Sequence, residues 1–153
     1  MDVSTAASNP ALAASRALRW WLLGLLITLV VQATLGAGVN LYITTPKSAT
    51  GTGILAAFGK AISDGGPALA LHAVLGALVT LGSIAAVARA VRARWPTIMA
   101  CSVGFACLLG AFASGAAFVG DTKSSSSMGM AVLTGAAMIA YLLAYSTVAA
   151  ARD

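Results

Sequence analysis

Apolar residues gather in four long runs, at about 20–43, 67–88, 97–119 and 128–149, interrupted by small or polar uncharged side chains and by one histidine, His72. Each run is close to the ~20 residues an α-helix needs to cross the hydrocarbon of a bilayer. The one long connection, 44–66, carries Pro46, Lys47, Lys60, Asp64 and two glycine-rich turns. In its middle Ile54, Leu55, Phe58 and Ile62 share one helical side, which predicts a short helix lying on a membrane surface. Pro67 suits the start of the second run, because the first N–H of a helix has no intrahelical acceptor anyway. Trp95-Pro96 marks the next turn, and Gly120 to Ser127 a tight connection with a serine run as helix cap. Residues 1–15, Ala/Ser-rich with a lone Pro10, read as a flexible cytoplasmic tail. The pattern predicts an all-α integral membrane protein: an antiparallel four-transmembrane-helix bundle forming one domain over 16–153.

Composition removes the soluble alternative. The chain is 59% hydrophobic and 8% charged, with a mean hydropathy of +0.93. Soluble domains carry roughly 25% charged residues, so a chain this short could not hide its apolar surface from water. The net charge of +5 would raise nucleic-acid binding in a soluble protein. Here the basic residues flank the apolar runs instead of alternating with aromatics, which reads as a topology signal. Four spans put both termini on one side, with Arg16, Arg19, Arg89, Arg92, Arg94 and Arg152. Lys47, Lys60 and Lys123 fall on the other, offset by Asp64 and Asp121. The positive-inside bias therefore predicts cytoplasmic termini and an outer 44–66 loop. An Arg- and Ala-rich chain of this kind fits a bacterial inner membrane. The first run is too long for a signal-peptide core, so it reads as a retained helix. Cys101 and Cys107 lie six residues apart, about 9 Å along a helix and on different faces, too far for a disulfide.

Helices in lipid associate through small and weakly polar side chains, and each run has such a stripe. The first has Thr28, Gln32, Gly36 and Asn40, and the second His72, Gly76, Thr80 and Ser83. The third has Cys107, Gly110 and Ser114 beside Ala111 and Gly115, and the fourth Ser127, Met130, Thr134, Met138 and Tyr141. His72 is the sole histidine. An ionisable group inside a span is expensive and marks a place to look for function. It lies about five residues into its helix, or ~7 Å, with Asn40 and Met130 at comparable depth and Gln32 nearer the midplane. Thr134 completes the set expected to line any binding space: His72, Met130, Asn40, Gln32 and Thr134.

The two halves also look weakly alike. His72-Ala-Val-Leu-Gly76 matches Met130-Ala-Val-Leu-Thr134, and the Gly38 region echoes the Gly115 region. This suggests two repeated helical hairpins related by an axis along the membrane normal, with His72 and Met130 equivalent. On this architecture and histidine position the chain resembles four-helix membrane haem proteins, cytochromes b and each half of haem A synthase. The resemblance implies haem b with His72 as an axial ligand to the iron, Met130 (or Met128) as its partner, and Lys47, Lys60 and Lys123 near the propionates. With one histidine the chain departs from the family's bis-histidine pattern, although His/Met ligation is acceptable to haem iron.

No acid among Asp2, Asp64, Asp121 and Asp153 lies deep in a run, which disfavours coupled transport. A Ser127–His72–Asp121 grouping would need a proximity that sequence does not give. The expectation is a small accessory or structural bundle without an evident catalytic site, binding a membrane-protein partner, a second copy of itself, lipid or quinone. A single-haem electron carrier is the alternative.

Overall fold

The computed structural model describes residues 10–121 and 124–150. Five α-helices account for nearly all of them: α1 (Pro10–Tyr42), α2 (Ile54–Ser63), α3 (Gly66–Ala90), α4 (Trp95–Asp121) and α5 (Ser124–Ala150). A single 3₁₀ turn, Lys47–Ala49, precedes α2. Four of the helices are long and apolar enough to cross a membrane: Leu12–Tyr42, Gly66–Ala90, Trp95–Asp121 and Ser125–Ala150. α1 packs on α3 and α5, and α4 packs on the same two, so α1 faces α4 and α3 faces α5 across the centre. One end of this arrangement carries the start of α1, the α3–α4 turn and the end of α5. The other carries α2.

Each long helix turns a seam inward in steps of three and four. On α1 the buried positions are Leu18, Leu22, Leu25, Leu29, Gln32, Gly36 and Val39. On α4 they include Thr97, Cys101, Gly104, Leu108 and Ala111. α3 contributes Val79, Ser83, Ala86 and Ala90, and α5 Ala137, Tyr141, Ala144 and Val148. A 3.5-residue repeat keeps one stripe facing a neighbour in near-parallel packing. The outward positions are as apolar as the inward ones: Ile27, Val30, Leu78, Leu81, Val103, Ile139 and Leu142 are all exposed.

Two apolar clusters stack along the bundle. The larger, at the terminal end, joins the α1 leucines to Val79, Cys101, Leu108 and Tyr141. Around it Arg19 Nε donates to the Tyr145 hydroxyl at 3.0 Å, Trp21 Nε1 donates to Gly82 O at 3.0 Å, and Arg89 stacks 4.2 Å over the Trp21 ring. The smaller cluster closes the other end with Val39, Ala49, Ala57, Ala61, Leu69 and Val119.

Three features differ from the pattern reading. Helix α1 reaches back to Pro10, into the stretch read as tail; its Ala/Leu content is strongly helix-forming. Residues 1–9, Thr122, Lys123 and Arg152 lie outside the described residues. The serine run, read as a tight connection and helix cap, forms the first turn of α5 itself. Helix α2 exists, but it is docked on α3 and α4. Its alanine face, Ala57 and Ala61, is buried there, while Ile54, Leu55 and Ile62 stay exposed. Small side chains allow that close approach.

The turns that place α2 use glycine where only glycine is comfortable. Gly51 and Gly66 both sit at φ 74°, and the Gly51 N–H donates to Gly120 O at 3.1 Å, tying the loop to the end of α4. At the far end of α2, Asp64 pairs with Lys60 at 3.3 Å and accepts from Ser48 and Ser63. These hydroxyls, Ser48 first, hold the exposed carboxyl down at about 2, below its ordinary 3.8. Because the folded value lies below the unfolded one, the contact contributes fully above pH 4 and is lost as pH falls through about 2. Ser48→Ala is expected to move the Asp64 carboxyl midpoint upward towards 3.8 in a ¹³C NMR titration. An unchanged midpoint would show that Ser48 does not hold it.

Candidate functional site

Between the two clusters the seams part around a cavity of about 430 Å³. All four long helices line it, and α2 covers it through Phe58 and Ala61. Its floor is Leu29, Val79 and Leu108 of the terminal-end cluster, and its roof Val39, Leu69 and Val119 of the other. This volume falls in the range of small-molecule pockets, ~300–1,000 Å³. No Lys, Arg, Asp or Glu is among the lining residues, which are mostly Ala, Gly, Leu, Val, Phe and Met.

All five of the residues expected from the sequence line this one space: Gln32, Asn40, His72, Met130 and Thr134. Their roles differ. Gln32 is 9% exposed, and its Nε2 donates to the backbone carbonyl of His72 at 2.8 Å. A carbonyl only accepts, so the amide nitrogen must face it. That fixes the otherwise ambiguous amide orientation and leaves Oε1 as an acceptor. Gln32 Oε1 is buried and has no partner.

His72 leans its ring onto α1, one turn beyond Gln32. A Cβ at Gly36 would stand 2.8 Å from Cε1, 3.4 Å from Nε2 and 3.5 Å from Nδ1. Glycine at 36 is therefore the seat of the imidazole. His72 Nδ1 is buried without a partner as well. On the opposite pair of helices, Met130 of α5 rests on Gly115 of α4, its Sδ 3.0 Å from where a Cβ would be. Thr134 is tied to its own helix, its hydroxyl donating to Met130 O at 2.8 Å. Asn40 stands at the mouth and accepts from Ser127 Oγ at 3.0 Å, joining α1 to α5.

Sequence reading missed the aromatic wall. Phe58 of α2 and Phe112 of α4 both line the cavity, with ring centroids 5.2 Å apart and planes tilted by 53°. Phe58 read as membrane-facing, and Phe112 had no mark to distinguish it from any other apolar residue on a span. Ser127 donates to Asn40 rather than to His72, so the imagined Ser127–His72 pair does not form. Among the described residues no three His, Cys, Asp or Glu side chains gather as a metal site.

The donor set for haem iron is present in kind, since His72 and Met130 share the cavity from facing helices. The fit is poor in two respects. The distal edge of the imidazole rests on Gly36 rather than standing free, and among the described residues no cation lines the space for the two propionates. Of the lysines assigned to them, Lys60 is engaged with Asp64, and Lys123 lies outside the described residues.

No protein-family model, curated protein or solved structure matches this chain.

Proposed function

We propose that this chain is a four-span membrane bundle that binds a lipid- or quinone-class molecule in its α2-covered cavity, without chemistry of its own. The observation that carries the reading is a cavity bounded by packed clusters on both sides, apolar and uncharged among the described residues, and lined by Gln32 and His72, each of which holds a buried unpartnered polar atom. An apolar ligand reaches such a site from the bilayer, and the few polar groups orient it. The apolar exterior of all four long helices supports placement in a membrane.

Arg19, Arg89, Arg92 and Arg94 at the terminal end favour cytoplasmic termini, with α2 on the outer face. A bacterial inner membrane is the compartment this fits. The pairs His72–Gly36 and Met130–Gly115, on α3–α1 and α5–α4, support two hairpins repeated about the bundle axis. An accessory role, delivering or holding the ligand for a partner membrane protein or a second copy, is part of the same proposal. Haem b is the second reading, favoured by the shared His72 and Met130 lining and disfavoured by the ring seat and by a lining without cations among the described residues.

Ala131 lines the cavity, so Ala131→Phe adds a ring to its space. Native mass spectrometry of protein released from its own membranes is expected to show one neutral adduct per chain, absent from Ala131→Phe. An absorption spectrum of the same sample, oxidised and dithionite-reduced, separates the two readings. A Soret band lost in His72→Ala would establish haem; a colourless protein with a neutral adduct supports the first reading. A bare mass for the wild type and no colour would remove both.

A further inference from the structure

The wall of the cavity says more about the ligand than its apolarity. We propose that it selects a quinol, a neutral ring carrying hydroxyl groups, over the corresponding quinone and over phospholipid. The inference rests on the ligand-binding reading above and deepens it.

Charge is decided first. Among the described residues none with a formal charge lines the space, and an unpaired charge in a low-dielectric interior is strongly disfavoured. A phosphate headgroup has no counter-ion here, so the bound head must be neutral. Shape comes next. Phe58 and Phe112 stand together on one side, and Met130 lines the same space with its polarisable sulfur. Rings and thioethers both make favourable contacts with an aromatic ring.

Hydrogen bonding separates the two redox forms. Gln32 commits its NH₂ to His72 O, so the atom it leaves unpartnered, Oε1, can only accept. A quinone offers carbonyl oxygens, which also only accept, and cannot satisfy it. A quinol hydroxyl donates. The second unpartnered atom, His72 Nδ1, belongs to the ring seated on Gly36, one helical turn along α1 from Gln32. A neutral imidazole nitrogen donates or accepts according to tautomer. A hydroxyl, able to do both, therefore suits either atom, and the acceptor-only Gln32 Oε1 is the one that distinguishes O–H from C=O. No electron or proton transfer is part of the proposal; it concerns which form is held.

The test is anaerobic calorimetry in detergent micelles with three tail-less probes of one shape: duroquinol, duroquinone and durene. Duroquinol is expected to bind wild type about tenfold more tightly than duroquinone, as one additional hydrogen bond implies. Gln32→Met, similar in volume but lacking the acceptor, is expected to bring duroquinol down to the duroquinone level. Duroquinone affinity should stay within about twofold, the sign that the cavity is intact. Equal affinities for the two forms in wild type, or a tighter quinone, would overturn the quinol assignment and leave Oε1 to an ordered water. So would a Gln32→Met variant that weakens both probes alike. In either case durene binding that disappears in Ala131→Phe would keep the cavity as a ligand site. Failure of all three probes to bind would remove that reading together with the quinol.

Discussion

Gly104→Leu is expected to lower the thermal stability of the detergent-solubilised protein more than any other single glycine substitution in the spans. Helices α4 and α5 make the most extensive pairing in the bundle, and within it Gly104 meets the face of Tyr141. A Cβ there would stand 2.7 Å from Cζ and 2.9 Å from each Cε of that ring. Tyr141 is wholly buried, and among its cluster neighbours are Leu108, Ala137, Ala144 and Cys101. The ring therefore has no open side to turn towards. Overpacking of this kind typically costs ~1–3 kcal/mol and at times more, and leucine at 104 belongs at the upper end. Gly104→Ala should produce a smaller loss of the same sign. Paired with Tyr141→Leu, it should fall short of the sum of the single losses, because the two residues share one contact. Additive losses in an SDS titration would show that the contact is not what holds the pair.

Gly36→Leu carries the second large effect, and its signature differs. The side chain would occupy the seat of the His72 ring, whose Cε1 is 2.8 Å from the Cβ position. Unlike Tyr141, the ring has somewhere to go, since His72 lines the cavity. The expected result is a stability loss of about 1–2 kcal/mol together with loss of ligand from the displaced ring and the reduced volume. The imidazole ¹³C and ¹⁵N shifts of His72 should move with it. A variant that loses stability while keeping ligand and imidazole shifts would mean that the ring does not border the bound molecule. Because Gly104 lies below the floor and Gly36 on the wall, the two substitutions separate packing from binding.

Much of this arrangement is legible in the amino-acid sequence. Hydropathy is a one-dimensional property, so four apolar runs of spanning length can be read directly, and the helices fall on them. Their inward faces are harder to read. The row Thr28, Gln32, Gly36, Asn40 advances by four and so drifts around the helix by about 40° per step. The true seam alternates threes and fours. It takes Leu29 inward, while the Thr28 hydroxyl merely bonds back to Gly24 O. Polar residues are the readable part of the site, because in an apolar run Gln32, His72 and Thr134 stand out, and Asn40 lies at a depth comparable to that of His72. The aromatic wall is not readable, since Phe112 on a span resembles any lipid-facing residue. Nor is the role of Gly36, which depends on α3 lying against α1. In α2 the larger residues read as a membrane-facing side, and the sequence marks no face that packs on the bundle. The bundle takes the alanines Ala57 and Ala61, with Phe58 beside them over the cavity, because a helix laid across two others approaches closest through its smallest side chains.

Methionine methyl NMR gives the most direct test of the cavity as a binding site. Met130 and Met138 line it, whereas Met99 and Met128 are exposed on the outside of the helices. With ¹³C-methyl methionine and durene as a ring without hydrogen-bonding groups, Met130 and Met138 are expected to shift in a saturable way. Met99 and Met128 should follow only the weak, linear drift of probe dissolved in the micelle. Linear drift at all four methyls, with none saturating, would contradict the claim that the space between His72, Gln32 and Met130 holds a ligand.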